Sequence, residues 1–121
     1  MKIYRLEIYD EDEDDKRNYV HCYTTLEKAK EAFDRVVKQA LNDVEEFAKE
    51  NSFEVPEYNL SQAYFDIYFE EMGYFFYKAY INVEELDSEN EFPIQDKDVN
   101  NIIQEEKRIQ EFFWPGMEVI K

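Results

Sequence analysis

A chain of 121 residues with 44 % hydrophobic and 17 % aromatic residues carries enough apolar side chain for one packed domain, expected to span residues 1–121. Thirty acidic against fourteen basic residues give a formal charge of −16, which argues against direct binding to DNA, RNA or an anionic membrane, all charged with the same sign. No apolar run approaches the ~18 residues of a membrane span, and Met1 to Asp12 lack the pattern of a signal peptide; with Cys22 as the single cysteine, a cytoplasmic protein without disulfides is expected.

Residues 2–9 alternate, with Tyr4, Leu6 and Ile8 on one face and Arg5 and Glu7 on the other, which predicts a half-buried strand. Asp10, Glu11, Asp12, Glu13, Asp14 and Asp15 form an unbroken acidic run that reads as a turn. Tyr19 to Tyr23 then predict a second strand and an antiparallel hairpin. Thr24-Thr25-Leu26-Glu27 has the form of a capping box with Thr24 as N-cap. From Leu26 onward, Ala29, Phe33, Val36, Val37, Ala40, Leu41, Val44, Phe47 and Ala48 recur at helical spacing, predicting a helix over 26–50 that is about 37 Å long.

Pro56 marks the linker that leaves this helix. Residues 63–69 alternate again, Gly73 supports a turn, and residues 74–83 predict the other strand of a second hairpin. Residues 84–98, acidic and containing Pro93, read as a loop. Asp96 or Asp98 caps a last helix to about residue 113, with Val99, Ile102, Ile103, Ile109 and Phe113 on its stripe; Trp114-Pro115-Gly116 ends it, and Met117, Val119 and Ile120 suggest a short edge strand. The order predicts an α+β fold: an antiparallel sheet of about four strands (hairpin, long helix, hairpin, C-terminal helix) with both helices on one face.

Catalytic signatures are weak. Asp10, Asp12 and Asp14 occupy the first, third and fifth positions of a calcium loop, but Asp15 stands where glycine is required and His21 where a bidentate glutamate is required. His21 and Cys22 are single and adjacent, so on a strand they face opposite sides and cannot act as base and nucleophile. Two glycines, Gly73 and Gly116, cannot build a phosphate loop. No enzyme, metal or cofactor is expected.

Charge placement is more informative. Residues 26–49 hold six acids and five bases, with Glu31–Arg35, Asp34–Lys38 and Glu45–Lys49 at four-residue spacing. Residues 50–96 hold twelve acids and one base, Lys78, and so carry −11 of the −16. The same stretch is rich in aromatics: with Phe65, Ile67, Phe75, Ala79 and Ile81 in the core, Tyr64, Tyr68, Tyr74, Phe76 and Tyr80 share the opposite face with Asp66 and Glu70. That face is either covered by the C-terminal segment or exposed, and tyrosine is enriched at binding hot spots. The partner-binding candidates are therefore Asp10 to Asp15; Glu70 and Glu71; Glu84, Glu85, Asp87, Glu89 and Glu91; and Tyr64, Tyr68, Tyr74 and Tyr80. The expected partner is a basic protein such as a nucleic-acid-binding enzyme or a toxin.

In size and acidity the chain resembles small phage or mobile-element proteins that block CRISPR nucleases or restriction enzymes, a resemblance of composition that no motif carries. An immunity protein or antitoxin neutralising a basic nuclease fits the same charge, and a regulatory or assembly module without nucleic-acid mimicry is the third reading.

Overall fold

The computed structural model describes residues 2–70, 75–85 and 90–120. Strands β1 (Lys2–Asp12) and β2 (Lys16–Tyr23) lead into helix α1 (Leu26–Glu50); β3 (Tyr58–Leu60), β4 (Tyr64–Phe69), β5 (Phe75–Glu85) and β6 (Asn90–Pro93) follow, and helix α2 (Asp96–Ile120) closes the chain. The strands form one antiparallel sheet in the order β2-β1-β5-β4-β3, with β6 also paired to β5. The α+β class expected from the sequence is the class observed, with six strands in place of about four.

β5 is the centre. Along one side it pairs with β1 from Lys2↔Glu85 to Asp12↔Phe75. Along the other it pairs first with β4, from Phe69↔Phe75 to Tyr64↔Tyr80, and then with β6, from Asn82↔Pro93 to Glu85↔Asn90. At the junction, Ile81 N–H donates to Ala63 O (3.0 Å) and Ile81 O accepts from Ile94 N–H (3.1 Å).

One sheet face is apolar. Tyr4, Leu6, Ile8, Phe65, Ile67, Ala79, Ile81 and Val83 lie there, in one buried cluster with Leu26, Ala29, Phe33, Val37, Ala40 and Val44 of α1 and Val99 of α2. The helical spacing of α1 is thus matched to the two-residue period of the strands, and both helices contribute to the same side. Ile102 and Ile103 pack partly against the cluster, whereas Ile109 is 49 % exposed and not on the packed stripe; the Phe113 side chain lies outside those described.

Five local expectations are corrected. The N-cap of α1 is Thr25, whose hydroxyl accepts from Lys28 N–H (3.3 Å), so the capping box is displaced by one residue. Lys28 then holds the position of the box carboxylate, and α2 supplies the carboxylate instead: Glu106 accepts from Leu26 N–H (2.8 Å) and Glu27 N–H (2.9 Å). The segment after Pro56 contains β3, and the expected loop contains β6, where Pro93 is tolerated because the strand lies at an edge. α2 continues through Pro115 and Gly116 to Ile120 in place of the expected stop and edge strand, although proline costs a helix interior one hydrogen bond and a steric clash. On α1 the four-residue ion pair within 4 Å is Lys30–Asp34 (2.7 Å), not one of the three pairs the spacing offers.

Candidate protein-binding surface

The second sheet face carries no described helix. Side chains alternate along each strand, so the register brings Arg5, Glu7, Tyr9 and Glu11 of β1 beside Phe76, Lys78, Tyr80, Asn82 and Glu84 of β5, with Tyr64, Asp66 and Tyr68 of β4 and Glu91 of β6 beyond. Among the described residues this face is uncovered: Tyr68 is 44 % exposed, and Tyr64, Phe76 and Tyr80 are half-buried among their neighbours. Tyr74 lies outside the described residues, as do Glu71, Asp87 and Glu89.

The middle of this face is aromatic and tightly cross-linked. Lys78 Nζ sits over the rings of Tyr64 (5.5 Å) and Tyr80 (5.0 Å), within cation–π range. Tyr64 donates its hydroxyl hydrogen to Asp66, which also accepts from Asn59 (2.9 Å). Tyr68 donates to Glu70 (2.9 Å), and Tyr9 meets Phe76 edge-on at 6.2 Å.

At one end, three carboxylates share one guanidinium. Arg5 lies 2.9 Å from Glu91, 3.9 Å from Glu7 and 4.0 Å from Glu84, and the Asn82 amide donates to both Glu7 and Glu91. The cluster keeps two negative charges in excess. Glu85 alternates to the other face of β5, on the same side as Val83, where it lies 3.9 Å from Lys2.

At the other end is the β1–β2 tip, and much of its acidity is consumed in forming it. Arg17 lies within 4 Å of Asp10, Asp12 and Asp15, and Lys16 is 3.4 Å from Glu11. Asp12 Oδ1 accepts from Asp14 N–H (2.9 Å) and Asp15 N–H (2.8 Å), closing the turn. Of the six acids, Glu13 and Asp14 have no ion pair among the described residues, and both are exposed. Of the candidates, then, Glu84 and Glu91 are drawn together, Asp10, Asp12 and Asp15 converge on Arg17, and the two groups occupy opposite ends of the sheet. Arg5, Glu7 and Asn82 belong to the surface although the sequence singled out none of them. Alternation places Arg5 and Glu7 on the outer face; that β5 lies next to β1 is a tertiary fact.

The electrostatics raise several tyrosines. Tyr64 is pushed up to about 12, first by the hydrogen bond to Asp66 and then by burial. Tyr77, on the core side, is pushed up to about 12 by burial, with Asp10 and Asp43 adding to it. Tyr80 is raised by burial and by Glu7 and Glu91, against a lowering from Arg5. A phenol whose folded value exceeds its unfolded value of 10.0 contributes stability that is complete below pH 10 and lost as pH climbs toward about 12. Ultraviolet titration should accordingly show a late class of tyrosines, and the melting temperature should drop across that window. Tyr77→Phe is expected to remove one late ionisation; an unchanged late class would contradict the assignment.

Among the described residues no group of three or more His, Cys, Asp or Glu is arranged to hold a metal ion, and no helix is long and apolar enough to cross a membrane. Cys22 is an exposed thiol. No protein-family model, curated protein or solved structure matches the chain.

Proposed function

We propose that the chain is an acidic inhibitory binding domain that covers a basic, nucleic-acid-binding surface of a target protein in the cytoplasm, as anti-CRISPR or anti-restriction proteins of phages and mobile elements do, with no catalysis or cofactor of its own. The observation that supports this reading is an uncovered aromatic face with excess negative charge at both ends. Glu7, Glu84 and Glu91 outnumber Arg5 at one end, and Glu13 and Asp14 have no ion pair among the described residues at the other. The eleven residues of β5 separate those ends by about 33 Å. That is close to one turn of duplex, roughly 34–36 Å, so the two clusters match the spacing of phosphates presented on one side of a double helix. Tyr64, Tyr68 and Tyr80 between them offer flat contact area with polar tips, suited to arginine-rich surfaces.

The test is a competition titration, once the target is recovered from the native host, with labelled nucleic acid as the probe. Glu84→Lys/Glu91→Lys and Glu13→Lys/Asp14→Lys should each slow association by about tenfold, because such charges steer encounter. Glu31→Lys/Asp34→Lys on α1 should change it little. Binding should weaken with salt and exclude the nucleic acid. Simultaneous binding of protein and nucleic acid, without mutual effect, would rule out mimicry.

A further inference from the structure

The two edges of the sheet are built differently. At the far edge, β3 has three residues and follows Glu54, Pro56 and Glu57, and β6 has four residues and carries Glu91 and Pro93. Short strands, charges and prolines are the features that keep an edge from pairing with another chain. β2 has none of them over Asn18 to Tyr23. It runs for eight residues, is exposed on both faces as far as Cys22, and presents Tyr19 at 47 % and Val20 at 46 % exposure.

The free hydrogen-bonding groups of β2 can be identified from the ladder. Ile81 directs its N–H and C=O away from β1, toward Ala63 and Ile94. Ile81 is the partner of Leu6, so in an antiparallel ladder Leu6 bonds on its other side, to His21. The Asp12 N–H to Asp15 O bond (2.9 Å) obeys the same alternation. Asn18, Val20 and Cys22 therefore point their N–H and C=O groups outward, along an edge with no partner strand among the described residues.

From this we infer that β2 is a homodimerisation edge: two copies pair their β2 strands antiparallel about a two-fold axis near Val20, joining their sheets. Charge favours a second copy as the occupant. Lys16 to Leu26 are eleven consecutive residues without an acid in a chain of net charge −16, so the copies meet where repulsion is least. Antiparallel pairing about Val20 also sets the acidic tip of each copy beyond the acid-free stretch rather than against the tip of the other copy, which keeps the two tips apart.

Sedimentation velocity over a concentration series should show a monomer–dimer equilibrium that strengthens with salt, since screening removes repulsion between two anions. This is the opposite sign from target binding, so failure of one proposal is distinguishable from failure of the other. Amide exchange at Asn18, Val20 and Cys22 should slow as concentration rises. Val20→Pro removes an outward N–H and no bond within the chain, and should weaken association at least about tenfold while leaving the monomer folded. Should that variant melt early, Val20→Lys, which sets like charges face to face at the axis, carries the same expectation. A monomer at every concentration and salt overturns the proposal. So does a dimer whose three edge amides exchange freely, or one that neither variant weakens.

Discussion

Replacing Phe33 with alanine is expected to remove about 3–5 kcal/mol of folding stability, the range for deleting a fully buried aromatic side chain. Phe33 is 0 % exposed and lies in the buried cluster that α1 shares with β1, β4 and β5. Leu6, Leu26, Phe65 and Ile81 of the same cluster are each within 1 % of full burial, so little space is free for relaxation. Natural domains of this size hold about 5–15 kcal/mol in total. The variant should therefore unfold at a much lower denaturant concentration, with the slope of the transition preserved. Phe47→Ala is the control: it faces the same way on α1 but is 41 % exposed, and should cost well under half as much. Equal losses at the two positions would show that the buried cluster does not dominate stability.

Glu106→Ala is expected to cost about 1–3 kcal/mol by leaving two amide donors at the start of α1 unpaired. The effect is larger than that of a surface carboxylate because the same side chain joins the two helices: it accepts from Leu26 and Glu27, and Lys107 lies 3.9 Å from Glu27. Glu106→Gln keeps one acceptor oxygen and should recover part of the loss. Amide exchange at Leu26 and Glu27 reads the result directly; protection equal to wild type in Glu106→Ala would mean that Thr25 alone secures the helix.

The elements with a strong internal period were legible. α1 is observed over Leu26–Glu50, as its apolar spacing predicts, and β4 and β5 present the alternation that their sequences carry. β3 and β6 were not legible, because three or four residues contain no usable period and their pairing depends on β4 and β5 being in place. The N-terminal hairpin is longer than its hydrophobic pattern: Asp10↔Arg17 and Glu11↔Lys16 are cross-strand ion pairs that carry the ladder into the acidic run. Charge alternation across a hairpin is visible only once the turn residues are known. The same holds for the candidate surface. Its aromatic half could be read from one strand pair, whereas the grouping of Glu7, Glu84 and Glu91 around Arg5 needs β1, β5 and β6 side by side, and these are separated by most of the chain.

The central place of β5 also sets the order in which the chain can assemble. β1, β2 and α1 are contiguous and can form early, but the inner edge of β1 waits for residues 75–85, and β5 in turn completes its far side only with β6. Pairing over so long a separation must close a large loop before it gains stability, which places folding toward the slow end for a small domain. During synthesis the N-terminal hairpin therefore leaves the ribosome with both of its edges unpaired. The edge of β1 that later meets β5 is the one exposed only in that interval, and the acids Asp10 to Asp15 at the turn add repulsion between such half-made sheets.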